Sequence, residues 1–297
     1  MHARSKPIGI IGLGLIGTSL ARRLLAASFE VHGYDIDAAR GAHLASHGGH
    51  AAATLRGIGQ CCDTLLISVL STDQVETVLE SNEPGGPLGL GATHVIICTS
   101  TCDPDRIAAL AGRLANTGVR FLEMPLSGNS DQIALGNGVA LLGGDRELAE
   151  SLATVLDALC PRRQHVGDVG AGGRTKLAVN LVGGLNRAVM AEGLAFAESL
   201  GLDALAFLEV LKESAAYSRT MDNRGRKMVL SDFTPHAKVS QSRKDFTLMQ
   251  EAAERSGQSL PLASVYLELI ESCIAHGEGE LDNSAIIQEV RRRRRAR

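Results

Sequence analysis

The stretch PIGIIGLGLIGTSLA (residues 7–21) decides the fold of this 297-residue chain. An apolar, strand-like run leads into three closely spaced glycines, and a helical pattern begins directly after them. In a strand–turn–helix context, one glycine makes the tight turn, one lets the backbone approach a pyrophosphate, and one lets the helix pack closely on the strand. The start of the helix then offers unpaired N–H groups to phosphate oxygens. A glycine turn without a nucleotide is the simpler alternative, but this context predicts a dinucleotide site formed by Gly12, Gly14, Leu15, Ile16 and Gly17.

Asp35 closes the next strand-like run, EVHGYD, eighteen residues after Gly17. A carboxylate at this point can accept hydrogen bonds from the ribose hydroxyls of the adenosine, and its negative charge repels a 2′-phosphate. No arginine follows Asp35 directly, although Arg40 is near in the sequence. The position therefore favours NAD over NADP as the cofactor.

Short apolar runs alternate with amphipathic stretches from residue 7 to about 166, a pattern typical of parallel β-α-β units. After about residue 170, helical patterns follow one another without a convincing strand, and the first of them is long. We therefore predict an α/β fold, with a doubly wound Rossmann sheet in residues 1–168. An all-helical domain in residues 169–297 follows it, and the long helix joins the two.

The composition excludes several classes of protein. Apolar residues make up 44% of the chain, as in ordinary globular proteins, and aromatic residues only 3%, which disfavours base-stacking surfaces. Six arginines in the closing RRRRRAR conceal an acidic body, because the remaining 24 basic residues face 33 acidic ones. We expect no nucleic-acid partner, no signal peptide and no membrane span. The six cysteines form no CxxC pair, which favours reduced thiols in the cytoplasm.

The stretch GAGGRTKLAVN (170–180) opens the long helix and contains Lys176, one of only six lysines in the chain. Asn180 follows four residues later and therefore lies on the same helical face. Taken alone, Lys176 has an ordinary interpretation as a solvated lysine near the end of a helix. Two other stretches, CTSTCDP (98–104) and FLEMPLSGN (121–129), end strand-like runs, and open α/β sheets bind ligands at such strand ends.

With these stretches, and with GLGLIG, RKDFTLM and the closing HGEGELDNSAII, the chain resembles the β-hydroxyacid dehydrogenase family over residues 7–290. That family includes 3-hydroxyisobutyrate dehydrogenase, tartronate semialdehyde reductase and L-threonate dehydrogenase. The resemblance implies a Rossmann domain and a helical domain that completes the cleft and mediates oligomerisation, as a homodimer or homotetramer. It also implies NAD(P)-linked interconversion of a small β-hydroxy acid and its semialdehyde or keto acid.

The resemblance implies that Lys176 is the general acid/base and that Asn180 orients the substrate. The chemistry is consistent, because oxidation of an alcohol needs a base for the hydroxyl proton while hydride leaves for the nicotinamide. Burial beside a positively charged nicotinamide would favour the neutral amine that can act as this base. Matching family positions place Ser127, Gly128, Asn129 and Asn180 at the substrate, and Leu70, Ser71, Thr101 and Lys244 at the cofactor. For Lys244 the ordinary alternative is a lysine at the start of an amphipathic helix.

The chain departs from the family pattern at Asn129, where a second glycine is usual, at Glu123 and Met124, where Asp-Ala is usual, and around Cys98. None of these changes removes the proton-transfer group, so they bear on which hydroxy acid binds. We predict no metal, because His43, His47 and His50 share one helical stretch without a carboxylate or cysteine to complete a site.

Two alternative functions stay open. An imine reductase shares the architecture, but such enzymes usually lack a lysine at the position of Lys176. A non-catalytic NAD-sensing or scaffold protein would not need a proton carrier one helical turn from Asn180. Both alternatives are therefore less well supported by this sequence than a dehydrogenase.

Overall fold

A computed structural model describes residues 6–80 and 86–294, and the chain divides into two compact units, Met1–Lys176 and Leu177–Arg297. Within the described residues, the strands all belong to one sheet in the first unit. They are Ile8–Ile11 (β1), Val31–Tyr34 (β2), His50–Ala51 (β3), Thr64–Ile67 (β4), Val95–Cys98 (β5), Arg120–Glu123 (β6), Leu126–Ser127 (β7), Val139–Gly144 (β8) and Arg163–Gly167 (β9).

Helices connect most of these strands, as expected for crossover units. They are Leu15–Ala26 (α1), Ala38–Ser46 (α2), Leu55–Cys61 (α3), Thr72–Leu79 (α4), Pro104–Ala115 (α5), Ser130–Ala134 (α6), Arg146–Ser151 (α7) and Ala153–Leu159 (α8). The 29-residue helix Ala171–Ser199 (α9) then begins in the first unit and continues into the second. The predicted α/β class, a Rossmann sheet followed by helices, is confirmed.

The strand order is β3-β2-β1-β4-β5-β6-β8-β7, with β9 paired to β8. The six strands from β3 to β6 are parallel, as predicted, but β8 runs antiparallel to both β6 and β7. The expectation of parallel units throughout was wrong there. An antiparallel neighbour needs no helical crossover, and the chain returns from β7 to β8 through only the short helix α6.

The register of the parallel strands aligns their carboxyl ends in one row, formed by Tyr34, Ile11, Ile67, Cys98 and Glu123. The segments that follow these five residues therefore leave the sheet at the same edge. They include the glycine loop, Asp35 and the stretches from which most first-unit cofactor contacts were predicted. This edge is where open α/β sheets bind their ligands.

The sheet is buried on both faces, which explains why its strands read as continuous apolar runs. Successive residues of β4 point to opposite faces, so Leu66 packs in one hydrophobic cluster while Leu65 and Ile67 pack in the other. Helices α1 and α8 contribute to the first cluster and α3, α4 and α5 to the second. Such a two-sided core holds the strand ends in fixed positions.

The second unit is helical throughout its described residues, apart from one isolated bridge between Lys238 and Asp282. After α9 it contains Ala204–Glu213 (α10), a π-helical turn at Met221–Gly225, Arg226–Leu230 (α11), Val239–Ser256 (α12), Pro261–Ala275 (α13), a 3-10 turn at Asn283–Ala285 and Ile286–Arg292 (α14). Among the described residues, no helix combines the length and apolar character needed to cross a membrane.

The core of the helical unit forms around α9. Phe246 of α12 and Tyr266 of α13 meet edge to face, with ring centroids 4.7 Å apart. The Phe246 ring also lies against the backbone of Gly184, where a Cβ atom would be only 2.5 Å from the ring. A glycine is therefore needed in the middle of α9 to let α12 pack closely on it.

Candidate active site

The glycine loop after β1 has the geometry that its sequence predicts. Gly12 has a φ of +92°, which favours glycine, and Gly17 packs so closely on the Gly12 carbonyl that no side chain fits. Gly14 is the N-cap of α1, where no side chain accepts a hydrogen bond from the first turn. Leu15 is exposed and Ile16 is half-buried. The loop therefore presents the start of α1 in a form suited to phosphate oxygens.

Asp35 fastens the end of β2 to this loop. Its carboxylate, only 5% exposed, accepts the backbone N–H of Leu13 at 2.7 Å and that of Asp37 at 2.9 Å. The Nη1 atom of Arg40 lies 3.3 Å from the Asp35 Oδ2 atom. Asp35 and the half-exposed Arg40 therefore form an ion pair beside the glycine loop.

The predicted nicotinamide contacts Leu70, Ser71 and Thr101 follow the neighbouring strands β4 and β5. Leu70 is exposed, and its N–H donates to the side-chain oxygen of Gln74 at 2.8 Å. The Ser71 hydroxyl caps α4 by accepting the N–H of Gln74 at 3.2 Å. Thr101 is half-buried, and its neighbour Ser100 donates to the carbonyl that precedes Leu70 at 2.7 Å. These bonds tie the two strand ends together.

The predicted carboxylate-binding turn has a structural task of its own. Gly128 follows β7 with a φ of +145°, and Ser127 before it is half-buried. The Asn129 side chain accepts the N–H of Gln132 at 2.8 Å, and the Gln132 side chain accepts the N–H of Asn129 at 3.0 Å. This capping box starts α6 and engages the side-chain oxygen and the backbone N–H of Asn129.

Lys176 lies in the second turn of α9 with only 7% of its surface exposed. Lysine is rarely so buried, and the ordinary interpretation as a solvated helix-end lysine was wrong. Four residues later in the same helix, the Asn180 side chain donates to the Asp245 carboxylate at 3.0 Å. The Nζ atom of Lys244 lies 3.0 Å from the other oxygen of Asp245.

The position of Lys244 differs from the expected start of a helix. Helix α12 begins at Val239, several residues earlier, and the Gln241 side chain accepts the N–H of Lys238 at 2.9 Å at its start. Lys244 and Asp245 are therefore interior residues of α12. Sequence reasoning assigned no role to Asp245, although its pairing with Asn180 makes it the residue that orients that amide.

Glu123, the last residue of β6, stands out in the sequence only as a departure from the family pattern. Its side chain is 3% exposed, and its Oε2 atom accepts the N–H of Gly170 at 2.8 Å. Burial raises the pKa of this carboxyl group, while N–H groups of Gly170, Gly173 and Gly172 oppose that rise. The one signal in the sequence for this contact was the set of glycines at the start of α9. Without side chains, they leave the N–H groups of the first turn accessible to a carboxylate.

His43, His47 and His50 were expected to share one helical stretch, and that expectation was wrong. His43 lies in α2, but His50 forms β3, and its ring stands 4.9 Å from the ring of His32. Cys61 lies 3.5 Å from the His32 Nδ1 atom and 3.5 Å from the sulfur of Cys62. Burial and the hydrogen bond with Cys61 raise the pKa of the Cys62 thiol, which disfavours the thiolate that a metal needs. The absence of a metal stays a prediction.

Comparison with known proteins assigns both units. A family model for the NAD-binding domain of 6-phosphogluconate dehydrogenase matches residues 7–167. A second model, described as the NAD-binding part of NADP-dependent 3-hydroxyisobutyrate dehydrogenase, matches residues 170–290. The two matches together span the chain from the glycine loop to α14.

Individual relatives match the chain over nearly its whole length. The L-threonate dehydrogenase of Cupriavidus necator is 30% identical over 96% of this chain and 96% of its own length. The 2-(hydroxymethyl)glutarate dehydrogenase of Eubacterium barkeri is 30% identical over 96% and 95%. A crystal structure of a 3-hydroxyisobutyrate dehydrogenase from Salmonella typhimurium gives a TM-score of 0.86 at 29% identity, covering 96% of this chain and 99% of that one.

Proposed function

The chain belongs to the β-hydroxyacid dehydrogenase family, and we propose that it interconverts a small β-hydroxy acid and its semialdehyde or keto acid with Lys176 as general acid/base. It is an oxidoreductase of the NAD(P)-dependent, 3-hydroxyisobutyrate dehydrogenase-like class that acts on CH–OH groups. The observation that supports the residue assignment best is the burial of Lys176 four residues before an amide fixed by Asp245.

The proposed proton transfer follows from the chemistry of a buried amine. In oxidation, neutral Lys176 Nζ takes the hydroxyl proton as the C–H bond breaks and the C=O bond forms. The nicotinamide of the bound cofactor supplies the acceptor for the hydride. In reduction, the Lys176 ammonium returns a proton to the carbonyl oxygen. Burial disfavours the charged amine and so supports the base role. Asn180, held by Asp245, is proposed to fix the substrate oxygen that exchanges this proton.

We propose NAD as the preferred cofactor, with NADP a poorer one. The glycine loop fits a dinucleotide. Because Gly17 has no side chain, the first turn of α1 packs directly on the Gly12 carbonyl, as the close turn of a dinucleotide site requires. Asp35 is nearly buried beside that loop, and its charge opposes a 2′-phosphate. Gly12, Gly14, Leu15, Ile16, Gly17 and Asp35 are the proposed cofactor contacts of the loop, and Leu70, Ser71, Thr101 and Lys244 the remaining ones.

We propose that the substrate carboxylate is bound by Ser127 and Gly128. We propose that Asn129 also contacts the substrate, through its Nδ2 amide, because the capping box uses only its side-chain oxygen and backbone N–H. The substrate class is a small hydroxy acid, because relatives of this chain are named for L-threonate and for 2-(hydroxymethyl)glutarate.

We propose that residues 1–168 carry the cofactor and that residues 169–297 form a homodimer or homotetramer. Three apolar residues of α9, spaced seven apart, support the second assignment: Val182, Val189 and Phe196 are 60%, 68% and 64% exposed. Seven residues are close to two helical turns, so these side chains form one stripe that a second copy can cover. Light scattering at micromolar concentration tests this, and a monomer mass contradicts it.

A cytoplasmic location is the last part of the proposal. All six cysteines lie in the described residues as free thiols, five of them buried, which is consistent with a reducing compartment. Cell fractionation with a periplasmic or organellar marker tests the assignment.

The reaction is tested with a substrate panel. Reduction of NAD and of NADP is followed with 3-hydroxyisobutyrate, 3-hydroxypropionate, L-serine, glycerate and threonate. We expect turnover of at least one of these acids, with a higher kcat/KM for NAD than for NADP. Measurable NAD binding without turnover of any hydroxy acid would contradict the proposed activity, and an imine substrate would then be tested.

A further inference from the structure

The start of α9 is built around the carboxylate of Glu123. A Cβ atom added at Gly143, Gly172 or Gly173 would lie 2.8, 2.9 or 2.7 Å from a Glu123 oxygen, so three glycines form a close cradle for this group. The N–H of Gly170 donates to the Oε2 atom at 2.8 Å. The acid therefore occupies the place of a capping side chain, although it lies 47 residues away in the sequence.

The charge of Glu123 acts on the end of a helix whose field is positive. Lys176 comes three residues after Gly173, which is about 4.5 Å along the helix axis. At the N-terminal end of α9, the backbone dipoles disfavour an ammonium on Lys176, and a carboxylate at that end opposes them. The backbone dipoles of α9 and the Glu123 carboxylate therefore shift the charge state of Lys176 in opposite directions.

We propose that Glu123 is a positioning residue for Lys176, which fixes the first turn of α9 and sets the balance between the amine and its ammonium. This inference rests on the proposed acid/base role of Lys176. The other ionisable groups that face Glu123 are Arg174 on α9 and Cys98 on β5. Arg174 is paired with Asp105 at 2.7 Å, and Cys98 is a buried thiol, so neither replaces the function of the carboxylate.

The test compares Glu123→Gln with Glu123→Asp over the pH range in which the enzyme oxidises its best hydroxy acid. Glu123→Gln removes the charge, so the ammonium of Lys176 becomes less favoured. The acidic limb of the kcat profile should then move to lower pH by at least about half a unit. Glu123→Asp keeps the charge but shortens the reach, so kcat should fall while the acidic limb stays in place.

Asp103→Asn is the matched control, because Asp103 is also buried and caps a neighbouring helix, α5, through the N–H groups of Asp105 and Arg106. It should lower the melting temperature without moving the pH profile. An unmoved acidic limb in Glu123→Gln overturns the inference. If Glu123→Gln does not fold, a shift of the acidic limb of the pH profile in Glu123→Asp overturns the inference instead.

The two proposals fail in different ways. Should Lys176→Ala keep its turnover, the acid/base assignment itself is lost, whatever Glu123 does. Should Lys176→Ala be inactive while the profile of Glu123→Gln coincides with that of the wild type, only the positioning role is lost.

Discussion

Replacement of Gly17 by alanine tests the glycine loop by adding one methyl group. The new Cβ atom would stand 1.9 Å from the carbonyl oxygen of Gly12, whereas real Cβ contacts essentially never fall below 3.0 Å. The loop and the first turn of α1 must therefore separate by about 1.1 Å, the difference between these two distances. Both contact atoms belong to rigid backbone, so no side-chain rotation can relieve the clash.

A displacement of about 1 Å in a binding constellation costs on the order of 100-fold, so we expect the Kd for NAD to rise by about that factor, or roughly 2.7 kcal/mol. Isothermal titration of the folded variant with NAD gives this value, and circular dichroism reports its melting temperature. Gly112→Ala is the control, since Gly112 is also inside a helix of the first unit but has nothing within 4 Å of the added Cβ. That variant should bind NAD normally and gain up to about 1 kcal/mol of stability. Binding of NAD by Gly17→Ala within twofold of the wild type would refute the loop geometry.

Two further predictions concern buried acids. Burial alone would raise the pKa of Asp282, but the Arg224 charge and hydrogen bonds from His236 and Ser284 hold that pKa below its ordinary value. A lowered native pKa contributes stability that is present above about pH 4 and is lost as the pH falls through the native pKa. Asp282→Asn should therefore lower the free energy of unfolding at pH 7 by about 3–5 kcal/mol. It should also make the free energy of unfolding depend less on pH in the acid range. Urea unfolding at several pH values measures this, and an unchanged midpoint contradicts it. Asp35→Asn keeps a hydrogen-bond acceptor but removes the negative charge. The ratio of kcat/KM for NAD to kcat/KM for NADP should therefore fall by at least about tenfold. An unchanged ratio would show that Asp35 does not select the cofactor.

The parts of the fold that were predictable are those with a local pattern. The glycine loop and Asp35 are defined by spacing within one β-α-β unit, and the structure joins them through the N–H of Leu13. The long helix α9 was evident from its apolar stripe. Strands β3 and β7 contain only two residues each, too few for any periodicity, and the direction of β8 is not encoded in hydrophobicity.

The parts of the site that were missed depend on contacts between distant residues. Glu123 meets the start of α9 across 47 residues, and Asp245 meets Asn180 across 65. Neither pairing leaves a spacing that a single sequence can reveal. Asn129 differs from these two, because its capping box with Gln132 spans only three residues of the sequence.

The central claim is that Lys176 transfers the proton, and Lys176→Ala tests it most directly. Its kcat for the best hydroxy acid should fall by roughly 100- to 10,000-fold, with the Kd for NAD nearly unchanged, and a small primary amine in solution should restore part of the rate. The control is Lys6→Ala, which removes an exposed lysine from the same unit. Turnover by Lys176→Ala within about tenfold of the wild type, at normal NAD binding, would contradict the assignment of this lysine as the acid/base.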